Sequence, residues 1–409
     1  MRILVVSNLY PYQSNKVYGI FTARQFAMAA RLGADVTVLF TQVWIPSILQ
    51  RFGPFKNYDC SHTPIDYPGI RVIRVPCVRW TRGIGGLRWD GLMFYASGRK
   101  VAEQLHREKP FDIIYGKGVL PCGDGAVRLK KLLGIPAAAE GIGGDVNIAP
   151  DYSPAMYRHF LWVTRQLDGA VADGKGVADR LSRVMQKEVP TIHGLVDMEI
   201  FKPISDKRNK LELRRQLNIP EQSPAILFVG NLKREKGLYE LLEAMVRIRG
   251  RIVGATLTIC GRGSEQEGLK AKIAELGLGD SVRLAGAVDP ADMHRWMQAA
   301  DIFVLPSYTE GMPNVVMEAM ACGLPTISTT VGGLPDGVGD SEGAILVPPQ
   351  QVEPLTEAIL RVCGDKLLQD KMSAAARQTA EQKFGLENNV RKTLNHLQSI
   401  IVKRRTIAL

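Results

Sequence analysis

The chain has 409 residues, a formal net charge of +11 and 45% hydrophobic residues. At about 150 residues per domain, this length suggests two or three domains with enough sequence for a large hydrophobic core. The ordinary shares of apolar and charged residues exclude a disordered chain, a collagen and a small disulfide-stapled scaffold.

The positive charge is concentrated in the first half of the chain. Residues 1–200 contain 25 basic and 17 acidic side chains, a net +8, whereas residues 201–409 contain 27 and 24, a net +3. The densest run is 71–100, where seven basic residues and several aromatic residues accompany a single acid, Asp90. Such a patch fits nucleic acid, anionic lipid or a phosphorylated substrate, and composition alone does not choose among them.

The six cysteines carry no C-x-x-C spacing and no zinc-type spacing to histidine, so we expect reduced thiols and a cytoplasmic protein. The first apolar run is too short for a signal peptide. No stretch reaches about 18 consecutive apolar residues, so no membrane-spanning helix is expected.

In the first half, short apolar runs of strand length alternate with amphipathic segments of helical length. The first helix is predicted at 20–32 and a later one at 123–133. This β-α-β alternation predicts a parallel sheet with right-handed crossovers. The predicted strands are Ile3–Val6, Val36–Phe40, Ile113–Tyr115, Ile135–Ala139 and Gly169–Ala172.

Residues 197–224 interrupt the alternation with three prolines and a charged run, which favours a linker region with one short helix. A second β-α series then runs from Ala225 to Ser328. The sequence thus predicts an α/β protein with two doubly wound halves, at 1–200 and 201–385. Their strands would end at a cleft between the halves, and a C-terminal helix at 386–409 would pack back on the first half.

Two common nucleotide-site motifs are missing from the sequence. The first strand is not followed by G-x-G-x-x-G, and no Walker A loop occurs. No D-x-D is present, so a paired-aspartate metal site on a nucleotide diphosphate is unsupported and no metal is expected.

The most informative segment is 301–323, DIFVLPSYTEGMPNVVMEAMACG. A buried strand ends before a short loop that carries Glu310 and Gly311, and Pro313 suits the first position of the next helix. The helix start offers unpaired N–H groups and partial positive charge, which is a phosphate cradle without a metal. Glu310 and Glu318 on either side could accept hydrogen bonds from sugar hydroxyls. Taken alone, the segment also fits a strand-loop-helix with two exposed glutamates.

The spacing of Glu310 and Glu318 is the E-x7-E pattern of retaining glycosyltransferases, and the chain resembles glycosyltransferase family 4 with its GT-B fold. Residues 226–237, ILFVGNLKREKG, are similar to that family's glycine-rich donor loop. Five further segments resemble family motifs and occur in the family's order along the chain. They are YGIF at 18–21, GGDVN at 143–147, TIHGLVDMEIFKP at 191–203, LTICGRG at 257–263 and GLPTISTTVGGLPD at 323–336. It implies two Rossmann-like domains that face each other across a cleft.

The resemblance implies a nucleotide diphosphate sugar as donor and no other cofactor. Lys236 would neutralise the diphosphate, Glu318 would bind ribose, and Glu310 would hold the transferred sugar, so these three form the implied catalytic set. Further donor-side residues are Gly19, Gly230, Asn231, Arg234, Gly311, Met312, Asn314 and Val315. The acceptor-side residues are Asp145 and Asn147.

The sequence departs from the family pattern at two positions. Asn231 stands where the family usually has Arg, and Arg234 is near enough in sequence to replace it. Ile142 stands where the family often has a catalytic His, so that role does not transfer. His193 is the nearest candidate by motif, although an ordinary domain-boundary histidine is the commoner interpretation.

The function implied is retaining sugar transfer, of the hexosyltransferase type, to a lipid-linked or cell-surface glycan precursor. The patch at 71–100 would then dock at the anionic inner face of the plasma membrane, and nucleic acid is not expected as a partner. Two alternatives stay open: a GT-B-fold sugar-nucleotide epimerase, and a nonenzymatic glycan-binding relic of a transferase.

Overall fold

A computed structural model describes residues 1–45, 48, 51, 62–78, 84–221 and 224–408. The chain divides into two compact units. The first unit contains Met1–His193 and Glu387–Leu409, and the second contains Gly194–Leu386. Each unit contains a six-stranded parallel sheet with flanking helices, which confirms the predicted α/β fold class.

The sheet of the first unit has the strand order β3-β2-β1-β4-β5-β6. Its strands are β1 Arg2–Ser7, β2 Asp35–Trp44, β3 Ile70–Val78, β4 Ile113–Lys117, β5 Ala137–Gly141 and β6 Gly169–Ala172. Its helices are α1 Ile20–Arg31, α2 Leu87–Glu108, α3 Asp124–Leu133, α4 Gly144–Asn147, α5 Pro154–Gln166 and α6 Lys175–Met185.

The chain returns to the first unit through its last helix, α15 Leu386–Ala408. Near the end of this helix, Arg404 forms an ion pair with Asp168 at 3.1 Å. Ile400 packs so closely on Gly169 that an added Cβ would lie 2.4 Å from its Cδ1. A side chain at this position would therefore displace the end of the Ile400 side chain.

The second unit has the strand order β12-β11-β10-β7-β8-β9. Its strands are β7 Ala225–Val229, β8 Thr256–Cys260, β9 Val282–Gly286, β10 Ile302–Leu305, β11 Thr326–Thr329 and β12 Ala344–Val347. Its helices are α7 Lys207–Leu217, α8 Leu238–Arg249, α9 Gln266–Glu275, α10 Met293–Ala299, α11 Asn314–Ala321, α12 Leu334–Val338, α13 Val352–Gly364 and α14 Lys366–Lys383.

Both sheets share the doubly wound order in which the first and fourth strands of the series are neighbours. In the second unit these neighbours are β7 and β10, and their parallel pairing aligns Ile302 with Ile226. Both strands are continuous apolar runs and wholly buried, as expected when helices cover both faces of a parallel sheet. Chain connections leave β7 and β10 toward opposite sides, so a crevice opens at their carboxyl ends.

The basic run at 71–100 is not a single loop. Its first part is the edge strand β3, its last part is the start of α2, and residues 79–83 lie outside the described residues. Phe94 is buried in the core of the first unit, while Trp89 is 51% exposed. In the part of the chain that the structure describes, no helix is both long and apolar enough to cross a bilayer.

Candidate active site

The loops that follow β7 and β10 bring together two of the residues predicted to act in catalysis. After β7 the chain passes through Gly230 and Asn231 into a short 3₁₀ helix, Arg234–Lys236. After β10 it forms the loop that carries Glu310. Because β7 and β10 are parallel neighbours, their carboxyl ends lie at the same edge of the sheet.

Lys236 and Glu310 form an ion pair at this edge. The Nζ of Lys236 donates a hydrogen bond to Oε1 of Glu310 at 2.6 Å. The two side chains are only 19% and 11% exposed, so water screens the pair weakly. An ammonium has three N–H donors, so Lys236 can hold Glu310 and still donate to a second anionic group.

Two glycines allow the loops that carry this pair to pack closely. Gly237, directly after Lys236, has a φ of +68°, and an added Cβ would lie 2.0 Å from the carbonyl oxygen of Pro306. Gly332, in the loop after β11, has a φ of +58°, and an added Cβ would lie 1.8 Å from the carbonyl oxygen of Glu310. The next residue, Gly333, donates its N–H to the Gly311 carbonyl at 2.6 Å. The Gly-Gly loop therefore supports the backbone of Glu310 directly.

Helix α11 begins at Asn314, and Pro313 is its N-cap residue. The sequence predicted Pro313 as the first helical residue, so the helix begins one residue later than predicted. The first N–H groups of the helix, at Asn314 and Val315, have no carbonyl of the preceding turn to bind. Apart from its chain neighbours, no atom of the described residues lies within 4 Å of the place where a Cβ of Gly311 would stand. Glu318 lies one turn beyond Asn314 and is half-buried. The loop and the helix start thus present open backbone beside Glu310.

Met312 has a packing role on the opposite side of this loop. Its Cε lies within 2.4 Å of the place where a Cβ of Gly337, in α12, would stand. The side chain therefore packs between the loop and α12.

Arg234 is engaged with residues of α8. Its guanidinium lies 4.3 Å from the ring centroid of Tyr239 and its Nη2 is 3.8 Å from Oε1 of Glu240. Glu240 also accepts a hydrogen bond from Tyr308 at 2.6 Å. Burial and this carboxylate raise the pKa of Tyr308 to about 12. Asn231 is exposed, so the role that the family gives to an arginine there has no direct counterpart at that position.

In the first unit, both predicted acceptor-side residues lie in the short helix α4. Asp145 is 8% exposed, and its carboxylate accepts the backbone N–H groups of Val119 and Ile142. Burial raises the pKa of Asp145 to about 6. Asp145 therefore ties together the loops after β4 and β5, while Asn147 is exposed.

Gly19 lies at the start of α1 and closes the loop between β1 and α1. Its φ is +64°, and an added Cβ would lie 2.3 Å from the carbonyl carbon of Leu9. The two ends of the loop therefore touch at this glycine. Its backbone conformation alone explains why no side chain is present.

Sequence reasoning missed a buried polar cluster at the carboxyl ends of β4 and β5. Lys117 and Glu140 form an ion pair at 2.5 Å. Gln25 accepts a hydrogen bond from Lys117 at 2.6 Å, and Tyr115 donates one to Glu140 at 2.9 Å. Close by, burial and the charges of Glu140 and Asp145 raise the pKa of Asp173 to about 7. The available signal was that Glu140 directly follows one predicted strand and Lys117 stands two residues after another.

Comparisons with known proteins agree with this geometry. The sequence model of the family "Glycosyl transferases group 1" matches residues 209–379. The chain is 27% identical to the putative teichuronic acid biosynthesis glycosyltransferase TuaC of Bacillus subtilis, over 98% of this chain and 99% of TuaC. It is 25% identical to 2-deoxystreptamine glucosyltransferase of Streptomyces kanamyceticus, over 82% and 90% of the two chains.

Among solved structures, sucrose-phosphate synthase from Thermosynechococcus elongatus superimposes with a TM-score of 0.77 at 21% identity, over 98% of this chain and 100% of the other. Anabaena HepE in complex with UDP-glucose superimposes with a TM-score of 0.70 at 20% identity, with the same coverage. At this identity the two likenesses establish the fold. The chain is a glycosyltransferase, and its second unit carries a domain of the group 1 glycosyl transferase family.

Proposed function

We propose that the protein transfers a sugar from a nucleoside diphosphate sugar to a glycan or lipid-linked acceptor, with retention of the anomeric configuration. The observation that carries this proposal is the Lys236–Glu310 pair, at the carboxyl edge of the second sheet and beside the start of α11. The solved HepE complexes, which contain UDP and UDP-glucose, support a nucleotide-sugar donor.

Each group at this edge has a distinct task in the proposed reaction. Lys236 binds the diphosphate, and the N–H groups of Asn314 and Val315 bind the distal phosphate, where the helix terminus supplies partial positive charge. Glu318 accepts hydrogen bonds from ribose hydroxyls. Glu310 accepts hydrogen bonds from the transferred sugar and is linked through Lys236 to the leaving group. The pair thereby fixes the sugar relative to its phosphate.

In the chemical step, the acceptor oxygen bonds to the anomeric carbon on the face from which the diphosphate leaves. The bond from that carbon to the phosphate oxygen breaks, and the acceptor proton passes to the departing phosphate. Negative charge grows on the diphosphate, where Lys236 and the α11 N–H groups are already in place. Lys236 and the helix terminus thus stabilise the charge that develops on the leaving group.

The proposal is tested by labelled sugar transfer from a panel of nucleoside diphosphate sugars into a bacterial lipid extract. Glu310→Ala should reduce transfer by at least about 100-fold, as loss of one preorganised stabilising group commonly does. Glu267→Ala, an exposed glutamate of the same unit, is the matched control and should leave transfer unchanged. Wild-type transfer by Glu310→Ala, or a product of inverted anomeric configuration, contradicts the proposal.

For the acceptor, we propose docking of the first unit at an anionic membrane surface. Trp89, Ile84 and Tyr152 are 51%, 37% and 61% exposed. An added Cβ on Gly85 would lie 3.3 Å from the ring of Tyr152, which brings the start of α2 next to that tyrosine. Exposed Arg88 lies 5.4 Å from the ring centroid of Trp89. Exposed aromatic and apolar groups beside a cation are typical of an interfacial surface.

Flotation with liposomes that contain anionic lipid tests this docking. The double variant Arg88→Glu/Trp89→Ser should lose most of the bound fraction because it removes both the charge and the inserted ring. Lys270→Glu in the second unit provides a control for net charge. Equal flotation of the double variant and the wild type overturns the docking surface.

A further inference from the structure

The first unit contains a small cavity that the proposed chemistry does not use. It lies at the carboxyl end of β2, beneath the loop between β1 and α1, and has a volume of about 190 Å³. Four aromatic side chains line it, Tyr12, Tyr18, Phe40 and Phe94, together with several polar side chains that include Gln42, His62 and Asp90. Pockets for drug-sized ligands measure about 300–1,000 Å³, so this one suits a single ring.

Gln42 is the feature of this cavity that points to a ligand. Gln42 is only 6% exposed. Within the described residues, neither the oxygen nor the nitrogen of its side-chain amide has a hydrogen-bond partner. A buried amide without partners destabilises a fold. The strand around it is apolar at most positions, and an apolar residue would fit the core without that cost. A polar ligand in the cavity supplies the missing partners.

The aromatic walls define the chemistry of that ligand further. The ring centroid of Tyr12 lies 5.6 Å from that of Tyr18, at an interplanar angle of 62°. It lies 6.5 Å from the ring centroid of Phe40, at an interplanar angle of 24°. Ring faces of this kind cover the C–H faces of a sugar, and an amide beside a carboxylate can bind its hydroxyls. Asp90, which is 5% exposed, opposes an anionic ligand. Among the described residues that line the cavity, the basic side chains are limited to His62, and no lysine or arginine is present.

The loop above the cavity contains a residue that the resemblance implies for donor binding. Tyr12 and Tyr18 both belong to the β1–α1 loop, and Tyr18 directly precedes Gly19, the residue implied to face the donor phosphates. We infer that this cavity binds one neutral pyranose ring of the acceptor, with Gln42 and Asp90 as its hydroxyl partners. The inference rests on the proposed function and adds the acceptor's chemical class.

The test is saturation-transfer NMR of the full chain with methyl glycosides of neutral hexoses and N-acetylhexosamines. At least one glycoside should bind, and Gln42→Leu should weaken its binding tenfold or more. Gln104→Leu, the same change at an exposed glutamine of α2, is the control and should retain wild-type binding. Tyr18→Ala alters an exposed ring and should also weaken binding, which keeps the test valid if Gln42→Leu fails to fold.

Absence of saturation transfer to every neutral glycoside overturns the inference, as does equal binding by wild type, Gln42→Leu and Tyr18→Ala. Binding of a prenyl alcohol that Gln42→Leu strengthens also overturns it and assigns the cavity to a lipid chain. Donor binding by the wild type is measured in parallel. Its absence contradicts the proposed function, whereas donor binding with unaltered glycoside binding in the variants contradicts only the cavity assignment.

Discussion

Replacement of Lys236 by Met should destabilise the second unit, because it leaves the Glu310 carboxylate without its cation. At 2.6 Å and an effective dielectric constant of ~20, the direct attraction is about 6 kcal/mol, most of which offsets the desolvation of both ions. Loss of one partner from a buried pair costs about 3–5 kcal/mol. The residual exposure of 19% and 11% reduces our expectation to about 2–3 kcal/mol.

For a unit of this size, about 3 °C of Tm corresponds to 1 kcal/mol. Lys236→Met should therefore lower the Tm of the second unit by roughly 6–9 °C in scanning calorimetry. Lys270→Met, which breaks the exposed pair with Glu267, is the matched control and should change stability by less than about 0.5 kcal/mol. Equal Tm values for the two variants would refute the reasoning that the Lys236–Glu310 pair is energetically distinct.

Three further predictions concern other parts of the fold. Gly332→Ala should reduce transfer at least about tenfold in steady-state assays, because its Cβ displaces the Glu310 backbone, and wild-type rates would contradict this. Burial raises the pKa of Asp173 to about 7 from 3.8, so the folded state holds that proton more tightly and stability falls as pH rises from about 4 to 7. Asp173→Asn should remove that pH dependence. In urea unfolding, the substitution should raise the free energy of unfolding at pH 8 by about 2–4 kcal/mol more than at pH 4, and parallel pH profiles of the variant and the wild type would contradict this. Lys117→Met should cost about 3–5 kcal/mol because it leaves Glu140 buried and unpaired, and Lys117→Met/Glu140→Gln should recover part of that loss; no recovery would contradict the pairing.

The order of ten of the twelve strands was predictable because those strands are short apolar runs separated by helical or loop segments, whereas β3 and β12 were not predicted. That order places the loops after β7 and β10 side by side, so the meeting of Lys236 and Glu310 follows from topology. Pro313 was predicted at the first helical position, which proline favours, but its ψ of 120° makes it the N-cap residue and Asn314 the first residue of the helix.

Features that depend on contacts between distant segments could not be predicted. The alternating residues of β3 and the long helix α2 were interpreted as a charged patch, because their basic side chains obscured the apolar pattern. The cavity at Gln42 requires Tyr12, Phe40 and Asp90 to converge from three separate segments. A glutamine in a strand carries no signal in the sequence that its amide lacks a partner.

The central claim is that Lys236 binds the donor's diphosphate while Glu310 binds its sugar, and one titration series tests both. Calorimetry would compare bare nucleoside diphosphates with the corresponding sugar nucleotides in the wild type, Lys236→Met and Glu310→Gln. We predict that Lys236→Met weakens both ligands by about 10–100-fold, the value of a charge-assisted hydrogen bond. Glu310→Gln should weaken only the sugar nucleotide and leave the bare diphosphate unchanged or tighter, since Lys236 is then released from its pair. Wild-type affinity of both variants for both ligands would contradict the account.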